Sequence, residues 1–344
     1  MRKLLTLPLA LLLAAGCATR WPESRSLSRF EFTQPQMGLP FRIVLYAPDT
    51  NTANTAAKAA FARISQLNDI LSDYDVDSEL SRLSRTSGED RAVPVSADLW
   101  TVLERSQALA KRTDGAFDVT VGPVVNLWRK ARREKKLPPA NRLEAALAAV
   151  GWRKLELDPR ARTAKLLAPD MRLDLGAIAK GYAVDEALNV LRAQGVTCAL
   201  VAGGGDMAAG DAPPGKRGWR IEVAPLDVSN APPARFVLLR NRALATSGDI
   251  FQRVEIDGVR YSHIVNPRTG MGLIDHSLVT VIARDCTTAD SLATAVSVLG
   301  PFNGLQLIEQ TPRVAAHIVR RPGVAIEVHE STNFATYEDG HGGK

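Results

Sequence analysis

The sequence predicts an α+β fold, and three observations carry that prediction. Apolar residues recur at helical spacing in some segments and form short strand-like runs in others. These helices and hairpin-like strands fall in clusters, without the steady βα alternation of a parallel sheet. No segment repeats at a fixed period, which excludes a solenoid. The chain has 344 residues, 45% hydrophobic and 23% charged, an ordinary globular composition. That length allows two domains or one large one, with a core that needs no disulfide staples.

Arg2 and Lys3 precede an apolar run from Leu4 to Ala15. The run is too short to cross a bilayer of about 30 Å, so it has the form of a signal peptide. Ala14-Ala15-Gly16-Cys17 follows and resembles the lipobox of bacterial lipoproteins, although Leu is more usual than Ala14. The expected organisation is a signal peptide at 1–16, a lipidated tether at 17–28 that begins at Cys17, one domain over 29–337, and a disordered tail at 338–344. Ordinary signal cleavage beside an incidental cysteine is the alternative. Acylated Cys17 would hold the protein on the extracytoplasmic face of a membrane, the inner membrane ahead of the outer. One acyl chain gives marginal anchoring at about 0.8 kcal/mol per buried CH₂, and two or more anchor stably. That compartment is oxidising, so Cys198 and Cys286 are either a disulfide pair or buried thiols.

A strand is expected at Phe41 to Tyr46. Ala57, Phe61, Ile64, Leu67 and Leu71 place one amphipathic helix between Asn54 and Tyr74, and a second covers Ala97 to Lys111. Pro138-Pro139 breaks the chain before a short helix at Leu143 to Val150. Two short strands follow, at Leu155 to Leu157 and Met171 to Leu175, then a helix from Ala177 to Gln194 and a strand at Ala199 to Val201. Gly203 to Pro233 is rich in Gly and Pro and holds one strand, Trp219 to Val223. Strands are expected at Phe236–Leu239, Val254–Ile256, Tyr261–Val265 and Leu278–Ile282. Helices at Thr288–Leu299 and Phe302–Glu309 precede two final strands.

Composition excludes several functions. The formal charge of +6 is thin for a nucleic-acid binder, which concentrates basic residues on one face. The one dense basic run, Arg129, Lys130, Arg132, Arg133, Lys135 and Lys136, has no interleaved aromatics and fits a solvated helix end or loop. Gly203 to Ala208 formally matches G-x-G-x-x-A, but Gly210, Pro213, Pro214 and Gly215 forbid the helix that a dinucleotide fold needs there. Gly210 to Lys216 matches G-x-x-x-x-G-K, but Arg217 stands where Ser or Thr must hold magnesium. The five histidines show no paired spacing of the zinc-hydrolase kind.

Three segments carry chemistry. Asp174 to Gly181 (DLGAIAKG) sits where a strand turns into a helix. Gly176 permits close backbone approach, the free N–H groups of the first turn favour anions, and Lys180 lies one turn in. A tight turn with Lys180 on a solvated face fits as well. From Thr287 onward, Asp290, Thr294 and Ser297 at i, i+4 and i+7 form a stripe of oxygens suited to a hard cation such as Mg²⁺. Thr287-x-x-Asp290 also fits a capping box. Tyr261 to Gly270 (YSHIVNPRTG) is a strand entering a Pro/Gly turn, where His263 is either a functional or a structural histidine.

Seven ordered motifs together resemble the FAD:protein FMN transferase family, the ApbE-type flavin transferases. They are SDYD through SELS (Ser72 to Ser81), GAFDVTVGP (Gly115 to Pro123), DLGAIAKGYAVD (Asp174 to Asp185), GGD (Gly204 to Asp206), ATSGD (Ala245 to Asp249), SHIVNPRTG (Ser262 to Gly270) and ADSLATA (Ala289 to Ala295). The resemblance runs from about Gln36 to Glu309. Asn266 replaces an Asp often seen before the Pro, and Ser291 stands where Ala is commoner.

The resemblance implies an ApbE-like, T-fold-related architecture of two closely packed α/β subdomains with the flavin site between them. It places FAD across Met37, Tyr74, Ala116, Phe117, Asp118, Asp174, Lys180 and Ile264, and Mg²⁺ on the Ala177 carbonyl, Asp290 and Thr294. The implied reaction moves FMN from FAD to a Thr or Ser hydroxyl of a target protein and releases AMP. The acceptor it suggests is a subunit of a membrane redox complex. On this reading His263 is the base that takes the hydroxyl proton, its pKa expected near working pH, and Asp249 orients His263 or the acceptor. Mg²⁺-dependent hydrolysis of FAD to FMN and AMP is the near alternative. A non-catalytic flavin-binding lipoprotein is the distant one.

Overall fold

The computed structural model describes residues 26–226, 235–249 and 252–340; the expected signal peptide and Cys17 lie outside them. An eight-stranded sheet organises the chain. In sequence order the elements begin with β1 (Ser28–Gln36), β2 (Leu39–Ala47), α1 (Thr50–Leu71), α2 (Glu79–Ser84), β3 (Val93–Pro94), α3 (Ala97–Arg112), α4 (Gly122–Glu134) and α5 (Ala140–Ala148). They continue with β4 (Leu155–Asp158), β5 (Thr163–Leu166), α6 (Ala179–Ala193), β6 (Ala199–Gly203), β7 (Asp206–Ala209), β8 (Trp219–Val223) and β9 (Arg235–Leu239). Last come β10 (Arg242–Gly248), β11 (Arg253–Ile256), β12 (Val259–Ser262), β13 (Ser277–Ala283), α7 (Cys286–Glu309), β14 (Ala315–Arg320) and β15 (Glu327–Glu330). The main sheet runs β1-β2-β6-β7-β10-β13-β14-β15, with antiparallel pairing throughout.

Period-two alternation assigns its faces. Ile43 and Leu45 enter the large core beneath α1, α6 and α7, whereas Val44 joins a second cluster with Trp219 and Val237 of the β8-β9 hairpin on the opposite face. Strand β13 is buried at every position, as a central strand covered on both faces must be. A third, smaller core packs Val124 and Trp128 of α4 against Val254, Ile256 and Tyr261 of the β11-β12 hairpin. The α+β expectation is met.

Local chemistry explains the element ends. Asp49 caps α1 by accepting from Thr52 N–H at 2.8 Å, and Asp285 caps α7 by accepting from Thr288 N–H at 2.9 Å. Helix α7 runs through the two expected helices, which meet at a kink where Gly300 takes φ +76° ahead of Pro301. Three differences from expectation have physical causes. Strand β1 is a polar edge strand, half of a hairpin closed by Met37 (φ 49°) and Gly38 (φ 75°), so its burial is too slight to read. Met171 to Leu175 is extended backbone joined by one bridge, Val121 to Arg172, and not a sheet strand. The tail expected to loosen at Glu338 is pinned further on: Glu338 pairs with Arg235, and Asp339 with Arg217 and Arg220. Residues 341–344 lie outside the described residues. Cys198 and Cys286 are separate buried thiols, and no disulfide joins them.

The contact of α6 with α7 positions the site. Gly181 on α6 lies so close to α7 that a Cβ there would stand 2.8 Å from the Asp290 Cβ and would also meet the Cys286 carbonyl. One turn later, Asp185 accepts from Cys286 N–H (2.7 Å), Thr287 N–H (2.8 Å) and the Thr287 hydroxyl (2.6 Å). We expect Gly181→Ala to cost about 1–3 kcal/mol, the usual range for an overpacked contact, in a denaturant titration. Wild-type stability in that variant would show that the helices separate freely.

Candidate active site

Two hairpin turns and a helix N-terminus converge at one end of the main sheet. The β1-β2 turn at Met37-Gly38 lies beside the β6-β7 turn at Gly204-Gly205, because Phe41 pairs with Gly203 and a Cβ on Gly204 would approach Leu39 to 3.2 Å. Asp206 opens β7 there, and Thr246 N–H of β10 donates to the Gly205 carbonyl at 3.1 Å. Helix α6 starts against the same end and α7 lies across it.

The centre is a cluster of three charged groups, two buried carboxylates and a partly exposed ammonium. Lys180 pairs with Asp206 and reaches Asp290 at 3.4 Å; the carboxylates are 1% and 2% exposed. Burial alone would depress the Lys180 ammonium, but Asp206 and Asp290 outweigh it and hold it above its ordinary range. Burial, together with repulsion from Asp290, pushes the Asp206 carboxyl up to about 7. Gly181 N–H, whose helical partner would be the Ala177 carbonyl, donates across to Asp290 Oδ2 at 3.0 Å. On the next turn of α7 the Thr294 hydroxyl lies 3.2 Å from the Ser247 hydroxyl of β10. The structure therefore gathers Lys180, Asp290 and Thr294 beside the first turn of α6. Asp206 joins them, a residue flagged by the GGD motif but given no role from sequence.

His263 follows β12 directly. Its Nδ1 lies 3.1 Å from the Gln252 carbonyl and its own N–H donates to the same oxygen at 3.0 Å. A carbonyl can only accept, so Nδ1 carries the hydrogen and Nε2 has the free lone pair. Desolvation by burial, reinforced by the Arg132 and Lys180 charges, pulls the imidazole down to about 4. This lies below the expected value near working pH and favours the neutral ring. The expected partnership with Asp249 is also corrected. Asp249 is buried at the end of β10, but its carboxylate takes His276 Nδ1 (2.8 Å) and Arg260, and the Gln252 carbonyl orients His263.

The remaining predicted residues surround this centre. Asp174 N–H donates to the Val119 carbonyl (2.8 Å), which ties the Ala116-Phe117-Asp118 segment to the start of the α6 turn. Asp118 is buried and accepts from Thr120 N–H (2.8 Å) and the Thr120 hydroxyl (2.7 Å); desolvation raises its carboxyl. It borders a cleft of about 250 Å³ lined also by Gly115, Gly151, Trp152 and Arg268. Ile264 is buried on the segment after His263. Tyr74 is 75% exposed, with the Arg129 guanidinium 4.0 Å from its ring centroid.

Arg129 departs from the solvated reading, which holds for Lys130, Arg133, Lys135 and Lys136 at the end of α4. It binds Asp73 at 2.5 Å and Asp174 at 3.0 Å, and burial with the Asp73 repulsion raises the Asp174 carboxyl against the pull of Arg129. Arg132, one helical step on, is half-buried and donates to the Gln252 side-chain oxygen at 3.2 Å. Lys130, Lys135 and Lys136 do face solvent. The available signal was the i, i+3 spacing of Arg129 and Arg132 behind Trp128, whose indole N–H is anchored on the Gly270 carbonyl at 2.7 Å.

Comparisons with known proteins point to one family. A family model described as the ApbE family matches residues 37–318. The FAD:protein FMN transferase of Vibrio cholerae is 33% identical over 314 residues, covering 90% of this chain and 91% of that protein. The one from Haemophilus influenzae is 32% identical over 343 residues, covering 97% and 98%. The solved flavin transferase ApbE of Vibrio cholerae superposes with a TM-score of 0.81 at 30% identity, over 90% of this chain and 99% of that one. The apo flavinyl transferase ApbE of Pseudomonas stutzeri gives 0.79 at 31%, over 91% and 97%. A family match over most of the chain, with relatives alike in sequence and fold along their whole length, shows that this chain belongs to the ApbE family.

Proposed function

We propose that this flavin transferase moves FMN from FAD to a Thr or Ser hydroxyl of a target protein, with Mg²⁺ bound and AMP released. The observation that carries the reading is a neutral, oriented His263 imidazole within the field of the Asp206–Lys180–Asp290 cluster. Curated relatives named FAD:protein FMN transferase support the transfer of FMN to protein.

The cluster suits a divalent ion. Two buried carboxylates share one ammonium, and burial together with repulsion from Asp290 raises the Asp206 carboxyl. Asp290, the Thr294 hydroxyl and the Ala177 carbonyl are hard oxygen donors of the kind Mg²⁺ takes. When bound, Mg²⁺ supplies positive charge to the phosphate oxygens.

The chain's own groups do the rest. Lys180 offers a cation and the N-terminus of α6 its dipole to the diphosphate; the Ala179, Gly181 and Tyr182 N–H groups are already bonded to Leu175, Asp290 and Ile178. His263 Nε2 takes the proton of the attacking hydroxyl. The hydroxyl oxygen bonds to the FMN phosphorus, the phosphorus–oxygen bond to AMP breaks, and AMP leaves with that oxygen. Tyr74, exposed above Arg129, offers a ring face to a flat heterocycle. Cys17 carries the lipid anchor that holds the enzyme on the extracytoplasmic side of the membrane, near an acceptor subunit of a membrane redox complex.

Incubating the protein with FAD, MgCl₂ and a candidate acceptor subunit, then weighing the acceptor, tests the reading. An added FMN supports transfer. Free FMN with AMP and an unmodified acceptor makes the enzyme a hydrolase, and unchanged FAD makes it a binder.

A further inference from the structure

We propose that Arg132 is a substrate-binding residue that meets the diphosphate oxygens of FAD beside His263, and that it is a second cation of the site, independent of the Lys180 cluster. The inference rests on the reading of FAD as substrate and His263 as base.

Its first support is the hydrogen-bond chain Arg132–Gln252–His263. The Gln252 side-chain oxygen accepts from Arg132 Nη1 at 3.2 Å, while its backbone carbonyl accepts from both His263 Nδ1 and His263 N–H. One residue thus fixes the guanidinium and the imidazole relative to each other. The second support is charge balance. Arg129, three residues earlier on the same helix, is neutralised by Asp73 and Asp174, and Lys180 by Asp206 and Asp290. Among the described residues, Arg132 has no carboxylate within ion-pair distance; its one neighbour of this kind is the neutral Gln252 amide.

A half-buried guanidinium without an anion has lost part of its hydration and gained no counter-charge, so this arrangement is costly unless an anion arrives. Desolvation and the nearby Arg129 hold its pKa below the ordinary arginine range, as expected for a cation awaiting a partner. Guanidinium presents a planar fork of donors that matches phosphate oxygens, and it retains its charge at any working pH. A diphosphate held by Arg132 would lie beside His263, because Gln252 joins the two side chains.

The test compares wild type, Arg132→Met and Arg132→Lys for FAD binding, for riboflavin binding and for the pH profile of transfer. Riboflavin has the ring system without the diphosphate. Arg132→Met should weaken FAD binding about 10- to 100-fold, the range for a charged hydrogen bond, and change riboflavin binding less than about twofold, with Arg132→Lys recovering most of the loss. The acid limb of kcat/KM should also move upward in Arg132→Met, because a positive charge beside His263 has gone. Equal losses for FAD and riboflavin, or FAD affinity equal to wild type, would overturn the assignment. If wild type itself neither binds FAD nor transfers FMN, the underlying reading falls and Arg132 with it. If wild type is active and Arg132→Met is indistinguishable from it, Arg132 alone is refuted.

Discussion

His263→Ala should lower FMN transfer by about 10²–10⁴-fold, the usual contribution of a positioned general base, while FAD remains bound. The ring contributes one free lone pair at Nε2, and its other nitrogen is engaged with the Gln252 carbonyl. Removing it deletes the proton acceptor without disturbing the Lys180 cluster. The pH dependence has a definite sign. Burial depresses the imidazole from 6.5 to about 4, so the base form is present above that value and is lost as pH falls through it. His263 should therefore contribute to kcat/KM, which reports the free enzyme, an acid limb near pH 4, well below that of an ordinary histidine and separate from the limb set by Asp206 at about 7. Bound diphosphate adds negative charge near the ring and raises its pKa, so the limb of kcat should lie above that of kcat/KM. Stopped-flow transfer assays that run from below pH 4 up to pH 8, with FAD affinity measured in parallel, would read all of this. Transfer in His263→Ala at the wild-type rate would remove the histidine from the mechanism.

What could be seen in the sequence was what is encoded within a few residues. The break at Gly300-Pro301, the turn into α6 after Gly176 and the stripe from Asp290 to Thr294 each depend on local spacing and occupy their expected places, although the segment before Gly176 is extended backbone and not a sheet strand. What depends on distant partners was hidden. Arg129 meets Asp73 and Asp174 across 56 and 45 residues of chain, so its burial cannot be inferred from the lysines and arginines beside it. Asp249 looked like a partner for His263 because both sit in family motifs, but tertiary packing gave its carboxylate to Arg260 and His276. Gln252, which does orient the ring, lies outside every motif. A backbone carbonyl is supplied by any residue type, so sequence carries no mark of it.

Asp290→Asn should be the variant that separates charge from shape. An Asn oxygen can still accept from Gly181 N–H, the 3.0 Å bond that joins α7 to α6, so stability should stay within about 1 kcal/mol of wild type, the scale of one hydrogen bond. The charge balance, however, changes sign in its consequences. Lys180 then faces one carboxylate in place of two, and Asp206, pushed up to about 7 by burial and by Asp290, loses the second of those influences and ionises at lower pH. The buried negative surplus that would attract a divalent cation is gone, and the Lys180–Asp206 pair is self-neutralising. With several kcal/mol of phosphate charge stabilisation lost, transfer should fall about 10³-fold or more, at roughly 1.4 kcal/mol per factor of ten. Raising MgCl₂ should recover little of it, because the variant lacks the charge and not merely the affinity. Single-turnover FMN transfer over a MgCl₂ titration, beside a denaturation curve, distinguishes the two effects. A normal rate at ordinary MgCl₂ would show that Asp290 only caps the α6–α7 contact.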